Sequence, residues 1–233
     1  MVWALIEPLM LLCIYTFVFS VIFKGNWSSV AGSGITSPAP ILFMGLITFG
    51  LFADVASQAP SLILQQRNYV KKVVFPLEVL PVVSISSALI TALFSLAVLL
   101  VGLILIYHAI PVTILLLPLA WLPVLLFSLG FGYFLASVGV FIRDMNTFVN
   151  IFVLMLRFMT PLFYPVSMVP EVMRPYFEAN PLAIFVDTAR RVALWGVCPD
   201  WKLYLLGTLF SLIVLMFGFM WFMASKHAFA DVI

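Results

Sequence analysis

The chain has 233 residues, of which 65% are hydrophobic and only 9% charged, and its formal net charge is +2. A soluble domain is nearer half apolar and about a quarter charged, so this composition excludes a water-soluble globular protein. It also excludes a disordered chain, which is rich in charge and poor in aromatics, and the small net charge excludes a basic surface for nucleic acid.

Six apolar segments follow one another along the chain and are separated by polar links. A spanning helix needs about 20 apolar residues, and the ten-residue alternation typical of a membrane β-barrel is missing from the sequence. The sequence therefore predicts an all-α membrane protein, a bundle of six transmembrane helices. The spans are predicted at residues 3–23, 41–64, 82–107, 112–141, 147–166 and 202–224.

The link at 65–81 (QQRNYVKKVVFPLEVLP) is the most polar stretch in the first half of the chain. It predicts a short helix along the membrane surface, with Val70, Val74 and Leu77 on an apolar surface and the basic side chains in water. Two interpretations stay open. The segment is either a docking element for a partner protein or a solvated link whose basic residues contact lipid headgroups.

The segment 167–200 mixes charged residues with prolines and aromatics. It predicts two short helices, one opened by Pro170 and an amphipathic one at 182–195 that stops at Gly196. Each is too short and too charged to cross a bilayer, so the pair is predicted to be a re-entrant hairpin or to lie in the interface. Two interpretations of this pair stay open: a gate over a pathway, or a cap that merely anchors the bundle. Asp187 is predicted to pair with one of the two arginines that follow it on this helix.

Arg157 is the one basic residue deep inside a predicted span, and Asp54 lies at a matching depth in the second span. Ionisable residues inside a membrane usually have a function and a partner. Either Arg157 lines a polar pathway and meets an anionic substrate, or it forms a structural pair with Asp54. The aromatic residues are mostly lipid-facing bulk, but a subset is predicted to stack on sugar rings. Its members are Phe158, Phe163 and Tyr164 near the outer end of the fifth span, and Tyr15 and Phe19 in the first span.

The sequence contains no nucleotide-binding loop, no zinc-ligand spacing and no serine-nucleophile motif. We therefore expect no enzymatic activity, no metal and no cofactor in this chain, and ATP, if it drives the protein, must bind another subunit. A secondary transporter is an alternative, but it needs ion-coupling acids at the midplane and usually an inverted repeat. The chain has one such acid and no visible repeat.

Four stretches carry a resemblance to a known family: VWALIEPLM, KKVVFPLEVLP, RDMNTFVNIFVLMLRFMTPLFYP and NPLAIFVDTARRVALWG. In their order and spacing the chain resembles the permease subunits of ATP-binding-cassette exporters for polysaccharides of the O-antigen and teichoic-acid type. The resemblance implies a multi-pass protein of the bacterial inner membrane, with both termini cytoplasmic, that exports an undecaprenyl-diphosphate-linked glycan for lipopolysaccharide biosynthesis. An exporter permease for another lipid or a drug is the alternative.

The resemblance also implies partners. Two permease chains form a homodimer and pair with two ATPase subunits, which bind ATP and magnesium, and lipids surround the complex. The link at 65–81 corresponds to the coupling helix, and Glu171–Glu178 and Leu182–Trp195 correspond to two re-entrant gate helices. Family members usually carry a basic amphipathic segment before a Trp at the first span, whereas this chain begins near Trp3. Residues 1–233 are thus expected to be a single permease domain without that interface segment.

The candidate site residues form three groups, and none of them is catalytic or metal-binding. The ATPase-coupling group is Arg67, Tyr69, Lys71, Lys72, Phe75 and Glu78. The substrate channel and gate group is Tyr15, Phe19, Arg157, Phe158, Tyr164, Glu171, Tyr176, Arg190 and Arg191. The intramembrane pair is Asp54 and Arg157.

Overall fold

A computed structural model of the chain describes residues 2–18, 38–66, 76–108 and 110–229. Within these residues the regular structure is entirely helical and contains no β-strand, which confirms the all-α prediction. The α-helices are α1 (Val2–Tyr15), α2 (Pro38–Gln65), α3 (Val79–Tyr107), α4 (Leu117–Phe141), α5 (Met145–Met159), α6 (Arg174–Glu178), α7 (Pro181–Ala193) and α8 (Trp201–Ser225). Short 3-10 turns cover Val112–Leu116, Val166–Met168 and Lys226–Ala228.

Four helical segments of the described part are long and apolar enough to cross a membrane. They are Pro38–Gln65, Val79–Tyr107, Val112–Phe141 and Trp201–Ala228. Their ends lie within about three residues of the ends of the predicted second, third, fourth and sixth spans, except that the last segment extends four residues further through the turn Lys226–Ala228. The chain is therefore a multi-pass membrane protein. The apolar helices Pro8–Val18 and Met145–Met159 are shorter. At about 1.5 Å per residue, the second of these is shorter than the roughly 30 Å hydrocarbon core.

The predicted fifth span was too long, because α5 ends at Met159 and not at residue 166. Thr160 adopts an extended conformation at φ −92° and ψ 133°, and it is followed by Pro161. A residue before proline is driven out of the helical region, and the proline nitrogen has no hydrogen to donate. The chain therefore leaves the helix here, and Tyr164 lies in a loop, where its hydroxyl donates a hydrogen bond to the Phe158 carbonyl.

Helix α2 is the centre of the bundle and is buried along most of its length. It packs against α3, α4, α5 and α7. A helix that is apolar on all sides is suited to such a position. The central place of α2 matters for function, since it brings Asp54 to a cavity that neighbouring helices also line.

Glycines allow the helices to cross closely in two places. At the first, a Cβ on Gly139 of α4 would overlap the backbone of Pro60 on α2. At the second, Gly130 of α4 meets Gly218 of α8, and a Cβ on either would overlap the other helix. Small residues at crossings let membrane helices gain van der Waals contact between their backbones. These contacts hold α2, α4 and α8 in register as the scaffold for the remaining helices.

Candidate functional site

The structure distributes the described candidate residues mainly over two cavities. Tyr15, Asp54 and Arg157 line a cavity between helices of the bundle, here called the bundle cavity. Tyr164 and the two adjacent arginines of α7 line a cavity at one end of the bundle, here called the end cavity. Phe158, Glu171 and Tyr176 are exposed and line neither. Phe19 and five coupling residues lie outside the described residues: Arg67, Tyr69, Lys71, Lys72 and Phe75.

The bundle cavity has a volume of about 590 Å³ and lies between α1, α2, α3 and α5. Much of its wall is apolar, but each of the four helices adds at least one polar side chain. These are Tyr15 from α1, Asp54 from α2, Thr91 and Ser95 from α3, and Arg157 from α5. A mostly apolar cavity with a few convergent polar groups is the usual form of a ligand site.

Thr91 and Ser95 were missed by the sequence analysis. The Thr91 hydroxyl donates to the Ser87 carbonyl at 3.2 Å, and the Ser95 hydroxyl donates to the Thr91 carbonyl at 3.0 Å. Each hydroxyl thus has its proton bonded to the helix, while its oxygen keeps acceptor capacity. The available signal was their spacing of four residues beside Ala88 and Ala92, which places all four on one face of α3.

Arg157 is partly buried, and its guanidinium lies over an aromatic ring. Its Cζ is 5.8 Å from the centroid of the Phe49 ring, a distance at which a cation is attracted to the ring face. Its Nε is buried and has no hydrogen-bond partner among the described residues. Buried polar groups are nearly always hydrogen-bonded, so an exception points to a function or a ligand. Asp54 and Arg157 line the same cavity, and their direct pairing stays a prediction.

The end cavity has a volume of about 460 Å³ and is formed by the loop after α5, by α6 and α7, and by the start of α8. Helix α7 begins at Pro181, where the Asn180 side chain accepts a hydrogen bond from the Leu182 N–H at 3.0 Å. Helix α7 ends at Ala193, two residues before the predicted end, and Gly196 follows with φ +67° in the turn beyond it. The first predicted short helix is reduced to the single turn of α6.

Arg190 of α7 is buried, with 4% of its surface exposed. Its Nε donates to the Ile41 carbonyl at 2.9 Å, and its two terminal nitrogens donate to the carbonyls of Pro161 and Leu162 at 2.9 and 3.0 Å. The guanidinium therefore ties α7 to the start of α2 and to the loop after α5. The predicted pair of Asp187 is formed with the other arginine, Arg191, at 4.0 Å.

Glu78 is the one member of the coupling group within the described residues, and it immediately precedes α3. Lys226, after the end of α8, donates a hydrogen bond to its carboxylate at 2.7 Å. The Tyr133 hydroxyl of α4 donates to the Glu78 carbonyl at 2.9 Å. The end of the predicted coupling segment is thus bonded to both α4 and α8. Sequence reasoning missed the ion pair because 148 residues separate its two members.

The pair with Lys226 gives the stability of this end of the bundle a pH dependence. The hydrogen bond and positive charge of Lys226 hold the pKa of Glu78 below its ordinary value of 4.5. A lowered folded-state pKa adds stability above the unfolded-state pKa, and this is lost as pH falls through the folded-state pKa. Since both side chains are about one-third exposed, we expect the ion pair to add at most about 1 kcal/mol to the free energy of unfolding.

We therefore expect Glu78→Gln to lower the melting temperature in detergent slightly at pH 7, and we expect this deficit to vanish on acidification as the wild-type carboxylate is protonated. Glu171→Gln is the control, because Glu171 is an exposed acid at the opposite end. A deficit that stays constant across the acid titration would contradict a role for the ion pair.

Residues 1–194 of the chain match the model of a protein family described as the ABC-2 type transporter. Two relatives from Klebsiella pneumoniae, both named O-antigen export system permease protein RfbA, are 24% and 23% identical to the chain. These alignments cover 99% of this chain and 86% of each relative. A protein of the same name from Myxococcus xanthus is 28% identical over 72% of this chain and 62% of its own length. All candidate residues named above fall within the family match.

Proposed function

The chain belongs to the ABC-2 type transporter family, and on that premise we propose that it is the permease subunit of an exporter for a lipid-linked polysaccharide. The observation that carries this proposal is similarity over 99% of the chain to proteins named O-antigen export permeases. The cargo we propose is an O-antigen-like glycan on undecaprenyl diphosphate, moved across the inner membrane of a bacterium.

The proposed assembly is a homodimer of permease chains on two ATPase subunits, which supply ATP and magnesium. We propose six spans, with the segments of α1 and α5 added to the four long helices, and both termini in the cytoplasm. Helices α6 and α7 have 5 and 13 residues, about 8 and 20 Å at helical rise. Neither is long enough to span, which supports the proposal that they enter and leave the membrane on one side.

The bundle cavity is the proposed entry to the pathway. Charges are costly inside a bilayer and persist where they line a pathway or meet a partner. Arg157 contributes a positive charge and an unbonded Nε to this cavity, and a diphosphate provides charge-assisted acceptors for such a group. Thr91 and Ser95 add hydroxyl oxygens to the same lining. This lining supports an amphiphilic cargo with an anionic linkage.

Energy would enter through the link at 65–81, which we propose as the contact with the ATPase. Movement of this link reaches Glu78 at the start of α3. From Glu78 the bonds to Tyr133 and Lys226 lead to α4 and α8. A push on the link would therefore act on three helices at once, and not on a single flexible connection.

The test uses the chain co-expressed with a candidate ATP-binding-cassette ATPase in cells that make the cognate glycan. We expect a stable, stoichiometric complex and ATP-dependent appearance of glycan on the outer side. Lys71→Glu with Lys72→Glu should lower export at least about tenfold, because we propose that the two lysines meet an acidic surface of the ATPase, which would repel the reversed charges. With six spans and both termini on one side, Lys24 and Lys202 lie on the opposite side from Lys71 and Lys72, so Lys24→Glu with Lys202→Glu makes the same change in net charge there.

Each outcome bears on a separate part of the proposal. Undiminished export by the Lys71 and Lys72 variant would contradict the docking role. Export lost equally in the Lys24 and Lys202 variant would assign the effect to net charge. Transport by the chain alone, driven by an ion gradient in vesicles without an ATPase, would contradict the exporter itself and favour a secondary transporter.

A further inference from the structure

We propose that the end cavity is a binding site for uncharged sugar rings, occupied by the glycan on the side of the membrane opposite the ATPase. The inference rests on the proposed function for the identity of the cargo. The sequence analysis predicted sugar stacking for Tyr164 and treated the segment of α7 as a gate or a cap. The inference brings the two together in one defined cavity beside α7.

Three aromatic rings from three different elements line this cavity. They are Tyr164 in the loop after α5, Phe177 on α6 and Trp195 after α7. Tyr164 and Phe177 meet edge to face, with ring centroids 6.2 Å apart. A pyranose has an apolar face of C–H groups that packs on an aromatic ring, with its hydroxyls at the rim, and aromatic side chains supply large, rigid contact area for such a ligand.

Hydrogen-bond acceptors lie beside these rings. Asp187 and Asp200 both line the cavity, and the side chain of Asp187 is 54% exposed. Asp200 uses Oδ1 to accept from the N–H groups of Lys202 and Leu203 at 3.1 and 3.5 Å. A carboxylate has about four acceptor positions, so Asp200 keeps capacity for a ligand. Carboxylates form short, strong bonds with hydroxyl donors, and sugars supply many such donors.

The charge of the lining argues against an anionic ligand. Asp187 and Asp200 balance the two arginines of α7, so the four charges sum to zero. The guanidinium of Arg190 is bonded to three backbone carbonyls, and Arg191 lies 4.0 Å from Asp187. The cavity therefore has no surplus cation for a diphosphate or an acidic lipid headgroup. Its 460 Å³ is within the range of about 300–1,000 Å³ typical of small-ligand sites.

The position of the cavity suits the exit of a chain from the bundle. Its wall is joined through Arg190 to the start of α2, and Thr113 before α4 donates to the Val192 carbonyl of α7 at 2.6 Å. The Glu78 and Lys226 pair lies at the other ends of α3 and α8. The bundle cavity and the end cavity thus serve different parts of the cargo, the first its anionic linkage and the second its neutral sugars.

Photo-crosslinking in cells that make the cognate glycan tests the proposal. Tyr164 is replaced with p-benzoylphenylalanine in the complex with its ATPase, and irradiated permease is analysed for covalently attached glycan by glycan staining and mass. We expect an adduct at position 164 and at least fivefold less at position 172, because Val172 is 83% exposed at the same end and lies outside the cavity. The same probe at Tyr15 reports on the bundle cavity.

A second measurement uses a variant that should leave the fold intact. Asp187→Asn removes one charged acceptor from an exposed position and should lower the position-164 adduct at least about threefold, whereas Asp144→Asn, at an exposed position outside the cavity, should leave it unchanged. Equal adducts at 164 and 172, an adduct containing phospholipid only, or full labelling in Asp187→Asn would overturn the sugar site. Glycan bound at Tyr15 but not at 164 would overturn it while sustaining the proposed function. Absence of ATP-dependent export in the unmodified complex would instead refute the proposed function.

Discussion

Replacing Arg190 with methionine is expected to destabilise the folded chain by about 3–5 kcal/mol, which is the cost of breaking a buried, multiply bonded charged group. Methionine fills similar volume but leaves the carbonyls of Ile41, Pro161 and Leu162 without their buried donor. Urea or thermal unfolding of the detergent-solubilised chain, followed by circular dichroism, measures the change.

Arg191→Met is the matched control, because the same substitution at the next position removes only a 4.0 Å ion pair with an exposed carboxylate and a 3.5 Å bond to the Cys198 carbonyl. We expect Arg191→Met to lower the free energy of unfolding by at most about 1 kcal/mol. Gly45→Ala should reproduce part of the Arg190 effect, since the new Cβ would overlap the guanidinium, whereas a Cβ at Gly50 on the same helix has nothing within 4 Å. Equal stability of the two arginine variants would show that the three carbonyl bonds do not hold this end together.

The second large effect is expected at Arg157. We expect Arg157→Gln to fold normally but to lower the rate of glycan export about 10- to 100-fold, the equivalent of losing a charge-assisted hydrogen bond worth about 1.5–3 kcal/mol. The residue lines the bundle cavity and holds an unbonded, buried Nε. Outer-surface glycan, quantified by time after induction in cells with the complete complex, gives the rate. Arg157→Lys keeps the charge and should recover part of it.

Arg143→Gln is the control for Arg157, since Arg143 is an exposed arginine just before α5 and lies outside the cavity. The exchange of Asp54→Arg with Arg157→Asp separates the two interpretations of the pair. If Arg157 meets the anionic cargo, the exchanged chain will not export even when it is folded and bound to the ATPase. Normal export by the exchanged chain would show that the pair is structural and that Arg157 does not contact the cargo.

Much of the fold could be predicted from local patterns. Long apolar runs predicted α2, α3, α4 and α8 within about three residues, when the short 3-10 turn before α4 is counted with that helix. This worked because a backbone in lipid must satisfy its own hydrogen bonds, and helices do so locally. The predicted fifth span was wrong beyond Met159, because the apolar sequence continues past Pro161 but the backbone cannot stay helical there. Here the conformational rule for proline outweighed the apolar run.

The candidate site was predicted less completely. Depth counting along two helices brought Asp54 and Arg157 to the same cavity, because helical rise fixes depth in a bundle. Arg191 took the predicted i,i+4 pair with Asp187, which depends on one helix only. Thr91 and Ser95 were overlooked, since their four-residue spacing marks one face of α3 but does not show that this face lines a cavity until the facing helices are known.

The sequence by itself determined that this chain is a helical membrane protein and where its long helices lie, since both depend on composition and on contacts within a few residues. Its likeness to export permeases was also readable, from the order and spacing of four stretches along the chain. Only the tertiary structure decided that Arg190 is buried and bonded to three backbone carbonyls whereas Arg191 pairs with an exposed carboxylate, and that Glu78 meets Lys226. The contacts of Arg190 and of Glu78 join residues 28 to 149 positions apart. They depend on how closely the helices cross, which is set by packing at a few glycines and not by hydropathy.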